Sequence, residues 1–161
     1  MISKETRSKD DCNSYHQSGR IKRSFRANVL SNTDIPDVNT VTLVTHLTSD
    51  RYDRLINIKS TWNGPISATV YVKRREDIHH LANTFCFFYV YDNWNFFYLH
   101  LVDERGIFYP VNYLRNTAIT QAPTDFLFIT DVDFVTMPHT YEILHTYVGS
   151  GIPKKNEVAA E

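Results

Sequence analysis

The sequence predicts an α/β fold built on a mostly parallel sheet with flanking helices. Apolar segments typical of strands alternate along the chain with segments in which apolar residues recur at helical spacing. The stretch 126–129, Phe-Leu-Phe-Ile, is continuously apolar, as expected of a parallel strand that is covered on both faces. Hydrophobic residues make up 42% of the 161 residues, which is enough for one core.

The first predicted elements alternate between strand and helix. Residues 41–47 predict a strand, and Ser49 is placed to cap the N-terminus of a helix that follows it. The sequence Trp-Asn-Gly-Pro at 62–65 predicts a turn, and residues 66–72 predict a second strand. Residues 73–82 are mostly polar, with Glu76 and Asp77 in the first half, and predict a short helix.

The second half continues the alternation. The aromatic segments 84–91 and 95–102 predict a hairpin or one bent strand. Pro110 is predicted to open a helix, because proline fits the first helical position. The strand 126–129 follows, and Pro138 is predicted to open a last helix.

Composition divides the chain into three parts and excludes several classes of protein. We expect residues 1–36 to be a disordered basic arm, residues 37–152 to be the folded domain and residues 153–161 to be a tail. The arm is interpreted as a solvated segment rather than as a contact for RNA or anionic lipid. The net charge of −1 argues against a nucleic-acid binder, because phosphate neutralisation needs clustered cations. The five glycines form neither a dinucleotide-binding fingerprint nor a P-loop.

Asp131 and Asp133 are the strongest candidates for chemistry. They follow the strand 126–129, and ligands of α/β sheets bind beyond the carboxyl ends of strands. In an extended backbone both side chains point to the same side, so the two carboxylates can converge on one cation. Paired carboxylates suit Mg²⁺ or Mn²⁺. Without a cation or donors, the two charges would repel each other.

Two classes of enzyme use such a pair. Aspartyl phosphatases of the haloacid dehalogenase type use a D-x-D-x-[TV] pattern, which residues 131–135 satisfy. That fold also needs an acidic pair further downstream, and no Asp follows Asp133. Metal-dependent glycosyltransferases of the GT-A type place a D-x-D motif after a nucleotide-binding half. A divalent cation there neutralises the diphosphate without a glycine-rich loop.

Residues 41–148 resemble the first half of the glycosyltransferase family 49 domain, which includes LARGE-like and β-1,4-glucuronyltransferase-1-like enzymes. The stretches that carry the resemblance are VTLVT at 41–45, DR at 50–51, WNGPIS at 62–67, FYPVNYLRN at 108–116 and FITDVDF at 128–134. The resemblance implies an incomplete GT-A-like, Rossmann-like domain. It also implies Mn²⁺, with Mg²⁺ as the alternative, and transfer of glucuronic acid from UDP-glucuronate to a glycan on a glycoprotein of the O-mannosyl or dystroglycan type.

The resemblance also assigns residues to the site. Asp131 and Asp133 would hold the metal ion and, through it, the diphosphate. The residues implied at the rest of the nucleotide sugar are Thr45, Asp50 and Arg51 near the uridine, and Asn112, Arg115 and Asn116 near the phosphates or the sugar. His46 departs from the family, whose members usually have Gln there.

Two hypotheses remain open for the whole chain. The first is the donor-binding half of a glycosyltransferase, with the catalytic base unassigned. The second is a non-catalytic truncated form or pseudoenzyme that acts at most as a nucleotide-binding, metal-binding or interaction module. On either hypothesis we expect no sugar transfer by this chain alone. The family is implied to act in the Golgi lumen, anchored by a membrane helix; since no apolar run long enough for such a helix occurs, we expect this chain to be cytosolic if expressed as given.

Overall fold

The computed structural model describes residues 21–31, 36–37, 39–73, 77–81, 83–85, 96–106 and 108–151. The strands are β1 (Phe25–Leu30), β2 (Val41–Thr48), β3 (Ile66–Val72), β4 (Phe97–Asp103) and β5 (Phe126–Ile129). The helices are α1 (Tyr52–Thr61), α2 (Val111–Thr120) and α3 (Thr140–Gly149), and residues 77–81 and 83–85 are also helical. None of the helices in these ranges is long and apolar enough to cross a membrane.

The five described strands form one sheet in the order β1-β4-β3-β2-β5. β2 is parallel to both β3 and β5, and β3 is parallel to β4, whereas β1 runs antiparallel to β4. The predicted mostly parallel α/β sheet is therefore confirmed. The chain progresses outward from β2 to β4 and then returns to the other side of β2, so the strand order reverses between β2 and β5. A ligand site is expected at the carboxyl ends of these two strands.

Helices cover both faces of the sheet. On one face, Leu55 and Ile58 of α1 are fully buried against the core residues of β2, β3 and β4. On the other face, Leu114 of α2 packs with Tyr71 and Val102, whose neighbours along each strand point to the opposite side. α2 therefore covers the second face of the sheet with its buried residues Leu114, Thr117 and Ala118.

Trp62 connects the end of α1 to β5 and α3. Its side chain is fully buried, and its ring stacks on Phe128 at 5.4 Å and meets Tyr141 edge-on at 5.3 Å. Its indole Nε1 donates a hydrogen bond of 3.0 Å to the carbonyl of Pro65. Gly64 lies in the same turn, and a Cβ there would overlap the ring of Tyr141. The predicted turn at 62–65 is therefore a surface against which α3 packs.

A chain of hydrogen bonds crosses the buried side of the sheet at His100. The backbone N–H of Asn28 donates to His100 Nδ1 at 3.1 Å, so this nitrogen is an acceptor and the ring proton lies on Nε2. His100 Nε2 then donates to the Ser67 hydroxyl at 3.0 Å, and that hydroxyl donates to the Ala118 carbonyl at 2.7 Å. Burial lowers the pKa of His100 to about 4, so the ring is neutral at pH 7.

The prediction that residues 1–36 are disordered is wrong for residues 25–30, because they form β1. The strand is almost entirely exposed, so it lacks the alternation of a half-buried strand. It is held instead by its pairing with β4, by Leu30 against the core and by the bond from Asn28 to His100. Residues 1–20, 32–35 and 152–161, which cover most of the arm and the predicted tail, lie outside the described residues.

Several predicted boundaries are also wrong. Ser49 caps no helix: it starts a 3₁₀ turn (Ser49–Arg51), and its hydroxyl donates to Asp77 at 3.3 Å. The last helix begins at Thr140 rather than at Pro138, because His139 adopts the left-handed conformation just before it. Pro110 likewise precedes the first residue of α2.

The aromatic and apolar segments differ from the prediction in two places. The segment 84–91 begins as helix at Thr84 and Phe85, and residues 86–95, where the predicted hairpin would turn, lie outside the described residues. The segment 126–129 is a strand, but β5 lies at the edge of the described sheet and Ile129 is 48% exposed. Its apolar character therefore does not reflect cover on both faces.

Candidate functional site

A cavity of about 500 Å³ opens at the carboxyl edge of the sheet, where the strand order reverses. It is bounded by the ends of β2 and β3, the segment after β4, the start of α2 and the segment after β5. The charged and polar residues that line it are His46, Thr48, Arg51, Tyr71, Lys73, Glu104, Tyr109, Arg115, Asp131 and Asp133. The predicted pair of aspartates therefore lies at the expected edge of the sheet, in a cavity with three cationic side chains.

The two aspartates are held by a turn rather than by an extended strand. The last ladder bond of β5 runs from the N–H of Thr130 to the carbonyl of Val44, and the N–H of Phe134 donates to the carbonyl of Asp131. Val132 between the aspartates is 4% exposed and packs in the core. The predicted extended geometry is therefore wrong, although both carboxylates do line the same cavity because Val132 anchors the turn.

Each carboxylate accepts a hydrogen bond from an arginine. Arg115 Nη2, from α2, donates to Asp131 Oδ1 at 3.0 Å. Arg51 Nη1, from the 3₁₀ turn after β2, donates to Asp133 Oδ2 at 2.8 Å. Both aspartate side chains are about half exposed, so solvent screens these ion pairs and they can exchange partners at low cost.

His46 forms the buried wall of the cavity behind Asp131. Its Nδ1 lies 3.0 Å from the hydroxyl of Tyr109, and its Nε2 lies 3.6 Å from Asp131 Oδ1. Burial and the neighbouring charge of Arg115 lower the pKa of His46, although Asp131 acts in the opposite direction. Burial also raises the pKa of the Tyr109 hydroxyl far above its ordinary value, so this hydroxyl keeps its proton.

The donor set of the cavity fits a divalent cation in part. Asp131 Oδ2 and Asp133 Oδ1 accept no hydrogen bond from any described residue, so each carboxylate has one oxygen available for a hard cation. The described part of the chain holds no group of three or more His, Cys, Asp or Glu residues suited to a metal ion. The described residues therefore suit an ion that is held by two carboxylates and whose other coordination positions are filled by ligand or water.

The structure brings four of the residues assigned by resemblance together in the cavity. Arg51, Arg115 and the aspartates line the cavity, whereas Asp50, Asn112 and Asn116 are exposed residues that do not. The Thr48 hydroxyl is the main cause that lowers the pKa of Asp50. Thr45 is fully buried in β2, and its hydroxyl has no hydrogen-bond partner in the described structure.

Sequence reasoning missed the other wall of the cavity. Tyr109 and Lys73 were not assigned to the site, and His46 was noted only as a departure from the family. Tyr71 and Tyr109 meet edge-on at 5.4 Å, and Lys73 Nζ lies 4.0 Å from Glu104 Oε2. A usable signal was present, because Tyr71 lies at the end of the strand predicted next to β2 and Lys73 follows it, so both reach the same edge of a parallel sheet.

An α/β sheet with an acidic pair at its carboxyl edge is the architecture that the resemblance to glycosyltransferases implied. A family model described as "Glycosyl-transferase for dystroglycan", of glycosyltransferase family 49, matches residues 93–160. The resemblance to this family is thereby confirmed.

The individual relatives are LARGE proteins and glycosyltransferase-like proteins. The chain is 38% identical over 112 residues to xylosyl- and glucuronyltransferase LARGE1 of Danio rerio, a match that covers 70% of this chain and 15% of the relative. It is 35% identical over 114 residues to LARGE2s of Gallus gallus, covering 71% and 15%. It is 34% identical over 110 residues to the glycosyltransferase-like protein gnt15 of Dictyostelium discoideum, covering 66% and 20%. The chain is LARGE-like in sequence, and the match spans about 15% of the length of the LARGE proteins.

Proposed function

We propose that this chain provides the donor-binding part of a glycosyltransferase, in which the cavity binds a divalent cation together with the diphosphate of a nucleotide sugar. The observation that carries the proposal is the juxtaposition of Asp131 and Asp133 with Arg51 and Arg115 in one cavity. The relatives named for xylosyl and glucuronyl transfer support the class of reaction.

The charges of the cavity support an anionic ligand that arrives with a cation. The three cationic side chains Arg51, Lys73 and Arg115 balance the three acidic side chains Asp131, Asp133 and Glu104. Adding a divalent cation would leave a surplus of two positive charges, which matches the charge of a diphosphate diester. Arginine suits this ligand because its planar fork pairs with phosphate oxygens.

Asp131 and Asp133 would hold the cation, for which we propose Mn²⁺, with Mg²⁺ as the alternative. When bound, the ion would neutralise the diphosphate and stabilise the nucleotide diphosphate as it leaves. Arg51 and Arg115 would bind the phosphate oxygens that the ion does not reach. The first residue of α2, Val111, also lines the cavity, so the positive end of the helix dipole would favour the anion as well.

For the donor we propose UDP-glucuronate, and for the acceptor a glycan on a glycoprotein. The printed names of the relatives include glucuronyl transfer, and the matching family model is described for dystroglycan. A glucuronate carboxylate would add one negative charge beyond this balance, and Lys73, which also lines the cavity, would pair with it in place of Glu104. Lys73 is free to turn to it, because its 4.0 Å contact with Glu104 is long.

Titration calorimetry with Mn²⁺–UDP tests the donor site. We expect binding by the wild type, a rise in melting temperature that grows with the excess of ligand, and loss of both in Asp133→Ala. Asp125→Ala is the matched control, because Asp125 is an exposed acid at the other end of β5 and does not line the cavity. No heat and no thermal shift at millimolar Mn²⁺–UDP would contradict the proposal.

A non-catalytic binding module is the second candidate. It is favoured by the two arginines, which already neutralise both carboxylates without a metal ion. The two candidates differ in an assay with UDP-glucuronate, Mn²⁺ and a xylose-terminated acceptor. Product that disappears in Asp131→Asn would show transfer by the chain itself and exclude the binding module, whereas tight Mn²⁺–UDP binding without product is expected of the donor-binding part as well as of the binding module.

A further inference from the structure

His46 has a polar atom that the described structure leaves unused. The residue is 8% exposed, and its Nε2 is buried and has no hydrogen-bond partner. Buried polar atoms are nearly always paired, and an exception calls for an explanation in function or in an unseen partner. The nearest anion is Asp131 Oδ1, at 3.6 Å, which is beyond hydrogen-bond distance.

The contacts of His46 define which ring nitrogen carries the proton. A neutral imidazole has one donor and one acceptor nitrogen. Nε2 faces a carboxylate, which favours the proton on that side. Nδ1 is then the acceptor for the Tyr109 hydroxyl at 3.0 Å, which keeps its own proton because it is buried. Tyr109, His46 and Asp131 therefore form a line of donors that ends at the carboxylate.

Asp131 Oδ1 already accepts a hydrogen bond from Arg115, which explains why His46 Nε2 lies beyond hydrogen-bond distance of the same oxygen. The Arg115 contact is 3.0 Å, and Arg115 is a third exposed at the cavity. If Arg115 turns to an anion in the cavity, Oδ1 loses its donor and His46 Nε2 is the buried N–H placed to replace it. A shift of a few tenths of an ångström brings the pair within hydrogen-bond distance.

We propose that His46 is a positioning residue for Asp131, whose Nε2–H takes over Oδ1 when Arg115 leaves it for an anionic ligand. This inference rests on the proposed function, since it assigns the anion to the donor site. Tyr109 fixes the tautomer of His46, and His46 fixes the orientation of Asp131 during the exchange. The other carboxylate oxygen then stays directed to the cation.

Three substitutions of His46 separate this role from simple packing. His46→Gln places an amide N–H near the position of Nε2, whereas His46→Asn places its amide near Nδ1, where it reaches Tyr109 but not Asp131. His46→Leu removes both contacts and keeps the volume. We expect the dissociation constant for Mn²⁺–UDP to rise 10- to 100-fold in the Asn and Leu variants, as found for partners that orient metal ligands, and to stay within about threefold of wild type in the Gln variant. Equal losses in the Gln and Asn variants, or no loss in any, would overturn the role.

Nitrogen-15 NMR of the protein without metal tests the same inference independently of the donor site. We expect shifts typical of the Nε2–H tautomer for His46, and loss of that fixed tautomer in Tyr109→Phe. Pyrophosphate alone should move the Nε2 proton downfield as it pairs with Asp131. The Nδ1–H tautomer, or a proton that pyrophosphate leaves unmoved, would overturn the inference. If the wild type binds no Mn²⁺–UDP but the proton moves with pyrophosphate, the proposed function fails and the positioning role stands.

Discussion

Arg51 Nη1 donates a hydrogen bond of 2.8 Å to Asp133 Oδ2, although the two residues lie 82 positions apart in the sequence. The contact joins the turn after β2 to the turn after β5, the two strands between which the strand order reverses. Both side chains are about half exposed. The pair therefore shapes the cavity more than it stabilises the fold.

Arg51→Ala is expected to change the free energy of unfolding by less than about 1 kcal/mol, because exposed ion pairs contribute little. The same change should weaken Mn²⁺–UDP binding at least about tenfold, since one phosphate partner is lost. Urea unfolding and calorimetry measure the two effects. Arg54→Ala, in the helix that follows the 3₁₀ turn, is the control, because Arg54 is exposed and does not line the cavity. Equal binding by the two variants would exclude Arg51 from the site.

The neutral His100 predicts a loss of stability in acid. Its pKa is about 4 in the folded chain and about 6.5 in the unfolded chain, so only the unfolded chain gains this proton between those values. The free energy of unfolding should therefore fall by up to roughly 3 kcal/mol as the pH falls from 6.5 to 4. Urea unfolding at several pH values gives the slope. His100→Gln should make the free energy of unfolding depend less on pH, whereas His145→Gln, an exposed change on α3, should leave that dependence unchanged. The same slope in wild type and His100→Gln would show that His100 is not the cause.

Gly64→Ala should destabilise the fold by about 1–3 kcal/mol, because the new methyl group overlaps the ring of Tyr141. Gly149→Ala is the matched control, since a Cβ at the end of α3 meets no atom within 4 Å. That control should be neutral or stabilising, because alanine is the better helix former. Thermal unfolding compares the two. In a Tyr141→Ala background, Gly64→Ala should lose most of its destabilising effect. A purely additive double mutant would show that the ring is not the cause.

Thr45→Val should leave stability unchanged or raise it by about 1 kcal/mol, because it removes a buried hydroxyl that has no partner in the described structure. Thr42→Val is the contrasting change, since the equally buried Thr42 hydroxyl pairs with Thr124 at 2.6 Å and should lose about 1 kcal/mol. Because Thr45 is fully buried, Mn²⁺–UDP affinity should stay within about twofold. A larger loss in calorimetry would restore the contact with uridine that the resemblance implied.

Local patterns were enough to predict the elements that build the site. The strands at 41–47 and 66–72 follow from the spacing of apolar residues, and the helix after Pro110 follows from the place of proline at a helix start. These elements carry His46, Tyr71 and Arg115 to the cavity. β1 was missed because a strand exposed on both faces has no alternation to detect. It exists through its pairing with β4, which depends on residues about seventy positions away or more.

The pairing of the site residues could not be predicted, because it depends on distant parts of the chain. Arg51 was assigned by resemblance and Asp133 by its place after the strand 126–129, but nothing local indicates that they meet. The contact between His46 and Tyr109 joins residues 63 positions apart. It arises because β2 ends and α2 begins at the same edge of the sheet. Arg115 and Asp131 are only 16 positions apart, yet their contact also requires β5 to lie beside β2.

β5 has only four residues and, within the described sheet, hydrogen-bonds to β2 alone. Since β3 and β4 are each paired on both sides, β5 is the part of the parallel sheet that local opening releases first. Its amide protons should therefore exchange with deuterium sooner than those of β3. Asp131 and Asp133 would leave with it, while His46 and Arg51 stay on the stable part of the molecule. A ligand that contacts both the aspartates after β5 and Arg51 would hold β5 on the sheet. Protection of the β5 amides from exchange would therefore measure the fraction of the protein that has ligand bound in the cavity.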